Sequence, residues 1–272
     1  MRLRWAVAVE SCEVSTPSGC SRSTDMSTEH PGPVSSAARP KIWSAAIDLV
    51  ASRHCAGCGR PDVLWCPECA VSLSAAPHRS APSPTPPGFP ACWSVARYDG
   101  PVREALSAYK DRGQRPLLAP LSRALARAVG AALRTITTNG LRPVVVPAPS
   151  SPTAVRRRGG DSMAALAEGA RRELARFGVE ILGESALVLT REVADQSGLG
   201  ASGRWGNLAD SMSVGERGLV SLTGHDGRRC RPVVVVDDVV TTGSTLSEAV
   251  RALAAVGVTE VRAATIASTS RR

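Results

Sequence analysis

The stretch VVVVDDVVTTGST at residues 233–245 constrains the fold of this chain more than any other feature of the sequence. Four consecutive valines indicate a strand buried on both faces, as in a parallel sheet covered by helices. Two aspartates mark the carboxyl end of that strand, and the hydroxyl-rich turn around Gly243 leads into a helix predicted at 245–256. A strand, a turn and a helix in this order form the repeating unit of an α/β domain.

The same alternation of strand and helix continues along most of the chain. Short apolar runs bounded by turn residues predict strands, and apolar residues at helical spacing predict amphipathic helices. The fold class is therefore expected to be α/β, with a parallel sheet flanked by helices. The predicted strands are at 92–97, 144–146, 187–189, 233–236 and 261–266, and the predicted helices are at 101–111, 116–133, 163–177 and 245–256.

The turn at 241–245 has the chemistry of a phosphate site. Gly243 allows a tight turn whose backbone N–H groups converge on one anion, and the start of the helix adds the positive end of its dipole. Hydroxyl donors come from Thr241, Thr242, Ser244 and Thr245. We expect a dianionic phosphate to bind here, and we expect Gly243→Val to block that binding while the domain still folds.

Asp237 and Asp238 precede this turn and are the candidate catalytic residues. Carboxylates repel a phosphate, but they can accept hydrogen bonds from vicinal ribose hydroxyls and offset positive charge at C1. A phosphate turn beside two carboxylates is what phosphoribosyl pyrophosphate requires. The alternative is a structural turn in which Thr245 caps the helix and both aspartates are solvated. The length and order of the stretch favour the ligand-binding interpretation.

Four cysteines form the pattern C-x2-C-x7-C-x2-C, at Cys55, Cys58, Cys66 and Cys69. Two CxxC pairs bring four thiolates to one tetrahedral zinc ion, and four protein ligands leave no open position for catalysis. The spacing therefore predicts a structural zinc site in a small zinc ribbon at 41–75. Redox chemistry of a CxxC pair is the alternative.

Composition sets the remaining boundaries. Residues 1–40 are rich in Ser, Thr, Pro and Gly, and we expect them to be disordered because they cannot bury enough apolar surface. A short helix is predicted at 42–51. Six prolines at 76–90 predict a semi-rigid linker. The main domain is then expected at 91–268, with a long loop at 192–218.

The charge of the chain favours anionic partners. The formal net charge is +9 with a pI near 9.7, which suits phosphorylated metabolites, pyrophosphate or nucleic acid. Residues 97–134 hold eight basic and three acidic side chains, a pattern consistent with DNA binding. No apolar run reaches about 18 residues, and paired cysteines suit a reducing compartment. We therefore expect a cytoplasmic protein with no membrane span.

Several segments together resemble the ComF family, in which a four-cysteine zinc module precedes a type I phosphoribosyltransferase domain. The resemblance covers roughly residues 53–268. It implies a domain at 91–268 that binds phosphoribosyl pyrophosphate with Mg²⁺, and a role in natural competence with single-stranded DNA and the competence machinery as partners. The segments are YDGPVREALSAYKDRG at 98–113, VVVPAPSS at 144–151, RRRGG at 156–160, QSGLGASGRWGN at 196–207, and the stretch at 233–245.

The resemblance also implies roles for residues outside the turn. The family pattern RGFNQ is replaced here by RGGDS, with Gly160, Asp161 and Ser162 at the changed positions. One implied group is a pyrophosphate loop after a strand, another is a flexible loop that closes over the reaction, and a third is basic. They are Pro147, Ala148, Pro149 and Ser150 in the pyrophosphate loop, Gln196, Arg204 and Asn207 in the flexible loop, and the basic residues Lys110, at the K-x-x-G position, and Arg158.

Two classes of function remain open at this point. One is a phosphoribosyltransferase that acts on an unidentified acceptor, because transfer from phosphoribosyl pyrophosphate needs mainly positioning and electrostatics. The other is a protein without catalysis, either a nucleotide-sensing adaptor or a DNA-binding zinc-ribbon protein. The sequence does not decide whether the chain is an enzyme.

Overall fold

The computed structural model describes residues 54–190, 210–223 and 230–269. By its contacts the chain divides into two units, Met1–Val50 and Ala51–Arg272, and all described residues belong to the second. Several predictions lie outside the described residues: the disordered tail at 1–40, the helix at 42–51, most of the loop at 192–218, and the roles of Gln196, Arg204 and Asn207.

A six-stranded sheet organises the described part of the chain, in the strand order β1-β2-β8-β7-β3-β4. The β1 strand is antiparallel to β2, and the other neighbouring pairs are parallel. This confirms the predicted α/β fold with a mostly parallel sheet. The strands are β1 His78–Ser80, β2 Cys92–Arg97, β3 Val144–Pro147, β4 Leu182–Gly183, β7 Val233–Val240 and β8 Val261–Ser268.

Helices cover both faces of this sheet. The core on one face contains side chains of α2, α3 and α5, and the core on the other face contains those of α7. None of the described helices is both long enough and apolar enough to cross a membrane. The helices are α1 Pro67–Val71, α2 Gly100–Lys110, α3 Leu118–Leu133, α4 Pro152–Arg158, α5 Ser162–Arg176, α6 Glu216–Leu222 and α7 Ser244–Ala254, with a 3-10 turn at Arg115–Leu117.

The valine run forms the centre of the sheet. Val233 to Val236 are fully buried, and they pair in parallel with Val144 to Pro147 of β3. Val234 and Val236 join the core beneath α3 and α5, whereas Val233 and Val235 join the core beneath α7. Burying a valine side chain contributes about 1.5–3 kcal/mol, so this strand anchors both cores and holds fixed whatever lies at its carboxyl end.

The strand at 187–189 exists, but its predicted place in the parallel sheet is wrong. Leu187–Leu189 (β5) pairs antiparallel with Met212–Val214 (β6) in a separate two-stranded sheet. A run of three apolar residues predicts extended backbone but does not select a pairing partner. Here the pairing leaves Val188 at 44% exposure.

The proline-rich stretch at 76–90 packs along the domain. His78–Ser80 forms the edge strand, and the Arg79 guanidinium lies 4.8 Å from the centre of the Trp93 ring. Pro82, Pro86 and Pro90 are buried. Proline is tolerated at sheet edges because it removes only one backbone donor, so a proline-rich composition indicates extended backbone without telling whether that backbone is covered.

Candidate functional site

The turn after β7 has the geometry of an anion site. Gly243 adopts φ 77° and ψ −2°, the left-handed conformation, and occupies the N-cap position of α7. Gly243 has no side chain to cap this end of α7, and the Ser244 N–H makes a long hydrogen bond of 3.5 Å to Thr242 Oγ1. The first N–H groups of a helix have no partner within the helix and can bind an anion. Thr242 Oγ1 and Ser244 Oγ lie 2.9 Å apart. Thr245 is inside the helix and does not cap it, which removes the structural alternative considered for that residue.

The side of Gly243 where a Cβ would project is filled by protein. Phe89 Cδ2 lies 2.8 Å and Pro82 Cγ 2.9 Å from that Cβ position. Any side chain here combines an unfavourable backbone conformation with overlap. Gly243→Val must therefore displace Phe89 and Pro82 whether or not a phosphate is bound, so that variant is expected to lose stability as well as phosphate binding. No local pattern in the sequence pointed to these two neighbours.

The aspartate pair lies within β7, which continues to Val240 rather than ending before the carboxylates. Successive side chains in a strand point to opposite faces. Asp238 is buried on the face of α2, where its Oδ2 lies 2.6 Å from Lys110 Nζ. The Asp238 backbone N–H donates to Asp237 Oδ1 at 2.9 Å. The structure thus brings together Lys110 and the aspartate pair, which are far apart in the sequence.

The pKa values of Lys110, Asp237 and Asp238 all depart from their usual ranges. Burial, reinforced by the charge of Asp238, raises the pKa of Asp237 to about 7. Burial also acts to raise the pKa of Asp238, but the Lys110 ammonium outweighs it and holds that pKa below its usual range. The pKa of Lys110 is raised, because its attraction to both aspartates exceeds the effect of burial. Near neutral pH, the site therefore contains a Lys110–Asp238 ion pair beside a carboxyl group able to take up a proton.

A buried polar row runs across the sheet from Asp237. Thr265 of β8 is directly opposite Asp237, and Ser94 of β2 is directly opposite Thr265. The Ser94 and Thr265 hydroxyl oxygens lie 2.7 Å apart, and both residues are fully buried. Residues opposite each other in a sheet share a face, so these hydroxyls lie on the same side of the sheet as Asp237. Sequence reasoning did not single out Ser94 or Thr265.

A basic cavity of about 670 Å³ lies on the other side of Lys110. The Arg158 guanidinium, only partly exposed, lies 3.5 Å from Asp111, and the buried Ser162 hydroxyl has no hydrogen-bond partner. Five cations and two carboxylates, Asp111 and Asp161, line the cavity, and the excess of positive charge favours an anionic ligand. The basic residues that line it are Lys110, Arg112, Arg115, Arg157 and Arg158.

The proposed pyrophosphate loop has few backbone donors. Pro147 and Pro149 have no N–H, and the Ala148 N–H donates to the Val236 carbonyl at 2.8 Å. Ser150 Oγ donates to Asp161 Oδ1, which also accepts from two N–H groups at the start of α5. Asp161, one of the positions that differ from the family pattern, thus caps the N-terminus of α5. The basic cavity offers more donors to an anion than this loop does.

Glu248 of α7 is a buried residue that sequence reasoning missed. Its carboxylate accepts from the Met212 N–H at 3.0 Å and from the Arg251 guanidinium at 2.7 and 2.8 Å. Arg251 in turn donates to the Met212 carbonyl. This network ties β6 to the helix that follows the phosphate turn. The Glu-x-x-Arg spacing indicates an ion pair on one helix face, but it did not indicate burial.

Comparison with protein families bears on this part of the chain. The family model of the phosphoribosyl transferase domain matches residues 186–272. This range includes the aspartate pair, the phosphate turn and α7. The matched range is the C-terminal third of the chain. No match is found among curated proteins.

The six-stranded sheet includes residues outside the range 186–272 that matches the phosphoribosyl transferase domain. Strands β2 and β3 lie outside residues 186–272, yet they pair with β8 and β7 inside it. Lys110 also lies outside that range and contacts Asp238 within it. The sheet that holds the matched residues is thus completed by strands that precede them in the chain.

The four predicted zinc ligands converge. The Sγ atoms of Cys55, Cys58, Cys66 and Cys69 all lie within 4.8 Å of one another, and those of Cys58 and Cys66 are 3.7 Å apart. Tetrahedral zinc with bonds of about 2.3 Å places its sulfurs about 3.8 Å apart. Backbone N–H groups of Cys66 and Cys69 donate to Cys55 Sγ and Cys66 Sγ. This donor set fits one zinc ion and leaves no open coordination position.

The charges of these thiols also favour a cation. Burial acts to raise the pKa of Cys55, but backbone hydrogen bonds outweigh it and lower that pKa to about 6. Burial and the three neighbouring cysteines raise the pKa of Cys69. The raised pKa of Cys69 reflects burial and the repulsion that four adjacent thiolates would have, and a divalent ion that coordinates all four would remove that repulsion.

The four-cysteine module, of which the structure describes residues 54–75, contacts two helices of the α/β domain. A Cβ at Gly57 would lie 2.9 Å from Pro101 Cβ at the start of α2. Arg127 of α3 donates to the carbonyls of Leu73 and Ser74 at 2.7 Å, and also to that of Ala75. The module therefore has fixed contacts with α2 and α3.

Proposed function

We propose that this protein binds phosphoribosyl pyrophosphate and transfers its phosphoribosyl group to an acceptor. The observation that carries the proposal is the left-handed Gly243 turn, which is separated from the aspartate pair by two residues and begins α7 within the range that matches the phosphoribosyl transferase domain. The 5-phosphate binds the N–H groups of this turn and the hydroxyls of Thr241, Thr242, Ser244 and Thr245. No lysine is needed there, because the helix dipole and the donors supply the complementary charge.

The aspartate pair holds the ribose. Asp238, fixed by Lys110, accepts a ribose hydroxyl, and Asp237 accepts the neighbouring hydroxyl. In the transfer, the acceptor forms a bond to C1 while the bond from C1 to the pyrophosphate oxygen breaks, and pyrophosphate leaves with the electron pair. The carboxylates offset the positive charge that develops at C1. Asp237, whose raised pKa allows it to take up a proton near neutral pH, can receive the proton that the acceptor loses.

The pyrophosphate end of the ligand extends toward the basic cavity. Lys110 and Arg158 line that cavity beside the aspartate pair. We assign Pro147, Ala148, Pro149 and Ser150 to the neighbouring wall and propose that Gln196, Arg204 and Asn207 complete the enclosure. The Asp237 carboxylate is the group of this pair that would hold Mg²⁺, which, when bound with the ligand, would neutralise pyrophosphate charge.

The four-cysteine cluster holds one structural zinc ion in this proposal. Its support is the donor set and the sulfur spacing. Because all four coordination positions come from the chain, the metal takes no part in the transfer.

We further propose that the protein belongs to the ComF family, acts in the cytoplasm and serves natural competence and DNA uptake. The support is the order of the sequence segments described above and the net charge of +9. Single-stranded DNA and components of the competence machinery are the partners that this role implies.

A second candidate is a nucleotide-sensing protein that binds the same ligand without turnover. The observation that favours it is the 2.6 Å ion pair of Lys110 with Asp238, which already neutralises one of the two carboxylates. A neutralised carboxylate can hold a ribose hydroxyl, but it stabilises a developing positive charge less.

Titration calorimetry of the full chain tests the proposal. Phosphoribosyl pyrophosphate with Mg²⁺ is expected to bind more tightly than ribose 5-phosphate or pyrophosphate alone, because it reaches both the turn and the cavity. Failure of the protein to bind phosphoribosyl pyrophosphate would overturn the proposed function. Incubation of the complex with candidate nucleobases then separates the two candidates, since release of pyrophosphate supports transfer, and binding without any release supports a sensor.

A further inference from the structure

The segment at 81–90, which we call the buttress, packs against the phosphate turn at Gly243. Its Phe89 ring and Pro82 occupy the space beside Gly243 where a side chain would project. Phe89 also packs on the core beneath α7, and Pro82 is buried. Protein interiors are close-packed, so a displaced ring leaves the glycine without support on that side.

The buttress follows directly on the four-cysteine module. Near its end at residue 75, the module is held on the domain, because Leu73 belongs to the main core and Arg127 donates to the carbonyls of Leu73, Ser74 and Ala75. The edge strand His78–Ser80 then leads into the buttress. From Cys69 to Phe89, the chain is therefore held at successive points on the domain, and the module supplies one end of that path.

A second contact links the module to the aspartate pair. Gly57, between the first two cysteines, lies against Pro101 at the start of α2. The last residue of α2 is Lys110, which pairs with Asp238. The module thus contacts the helix that ends at Lys110, and along the chain it leads through the edge strand to Phe89.

We propose that the four-cysteine module positions the phosphate turn through the buttress, with Phe89 as the positioning residue, so that metal binding and phosphate-ligand binding are thermodynamically coupled. The inference rests on the proposed function for the identity of the ligand. Coupling between two sites is reciprocal, so zinc tightens the binding of phosphoribosyl pyrophosphate, and that ligand tightens the binding of zinc by the same factor.

The two phenylalanines of the chain give a matched pair of variants. Phe89 contacts the turn, whereas Phe177 ends α5 at 72% exposure. Phe89→Ala is expected to weaken the binding of phosphoribosyl pyrophosphate by about tenfold, Phe89→Leu by less, and Phe177→Ala not at all. Zinc content should stay at one ion per chain in all three. Equal affinity of Phe89→Ala and wild type, measured by calorimetry, overturns the proposal.

Hydrogen exchange of the backbone amides at 241–247 tests the coupling without any ligand. In the wild type, removal of zinc is expected to speed exchange at these amides while the amides of Val234 and Val235 stay protected. In Phe89→Ala, exchange at 241–247 is expected to be fast already, with zinc bound. If zinc removal also speeds exchange at the amides of Val234 and Val235, the domain has unfolded. The test of the proposal is then the exchange at 241–247 in zinc-loaded Phe89→Ala. Wild-type exchange at 241–247 in that variant overturns the proposal.

These measurements distinguish the identity of the ligand from the positioning role of Phe89. If the wild type fails to bind phosphoribosyl pyrophosphate but exchange at 241–247 responds to Phe89→Ala and to zinc, the proposed ligand is wrong and the positioning role stands. If the ligand binds but neither change affects the turn, the proposed function stands and the positioning role is wrong.

Discussion

The four-cysteine cluster and the phosphate turn are both short sequence motifs, but they depend on the rest of the molecule to different degrees. The cluster draws all its ligands from 15 consecutive residues, Cys55 to Cys69. The turn supplies its own N–H and hydroxyl groups, yet its glycine is packed by Phe89 and Pro82, and the adjacent Asp238 is paired with Lys110. A metal ion can define a site by its own bonding geometry, whereas a phosphate turn needs a surrounding fold to fix its donors.

The largest effect is expected from the cluster. Cys66→Ser removes a fully buried thiolate ligand that also caps α1. Loss of a structural metal is among the few changes that cost more than about 4 kcal/mol, so the variant should lose zinc and much of its stability. Cys230→Ser, outside the cluster, is the control and should keep the metal. Elemental analysis and thermal unfolding measure both, and a zinc-loaded, stable Cys66→Ser protein would contradict a closed four-thiolate site.

A smaller loss of stability is expected when Lys110, the cation paired with Asp238, is replaced. Lys110→Met leaves Asp238 buried without its partner, which should destabilise the fold by about 3 kcal/mol. The loss should be greatest near neutral pH and should shrink as the pH falls and Asp238 takes up a proton. Arg172→Met breaks an exposed pair with Glu168 and serves as the control, with a cost within about 0.5 kcal/mol. Urea unfolding that shows equal losses for both variants would mean that Lys110 has no special role.

Gly243→Ala tests how much the turn depends on its neighbours. The left-handed conformation disfavours alanine by about 1–2 kcal/mol, and contact with Phe89 and Pro82 adds to this loss. The same change at Gly159, also left-handed but with no atom within 4 Å of a Cβ, isolates the backbone contribution. Chemical denaturation should therefore show a greater loss at Gly243. An equal loss at both glycines would remove the packing role assigned to Phe89 and Pro82.

The smallest effect concerns the pH dependence of stability. Because the folded protein raises the pKa of Asp237 from 3.8 to about 7, the neutral carboxyl is favoured in the folded state. Its contribution is fully present below the unfolded pKa and is lost as the pH rises toward 7.

Between pH 4 and pH 7 the wild type should lose about 1–2 kcal/mol relative to Asp237→Asn, a range reduced for the partial exposure of Asp237. Unfolding free energies of both proteins across that range measure the difference. Parallel pH profiles would show that Asp237 titrates as an ordinary exposed carboxyl.

Much of the fold was predictable because it rests on local periodicity. The valine run, the helices at 101–111 and 163–177, and the strand at 92–97 agree with the structure to within one or two residues at most of their ends. The placement of β5 was not predictable, because three apolar residues do not distinguish an edge hairpin from a parallel strand. Short elements such as β4 and α4 were missed because so few residues do not establish a hydrophobic period.

The sequence alone determined the chemistry available to this protein: the thiolate spacing, the hydroxyl-rich glycine turn and the two adjacent carboxylates. These depend on residue type and on separations of a few residues, which the backbone translates directly into local geometry. Tertiary structure alone decided that Lys110 pairs with Asp238, that Phe89 supports Gly243, and that the proline-rich stretch is packed on the domain. Such contacts join distant segments, and they are selected by the packing of the whole core rather than by any local preference.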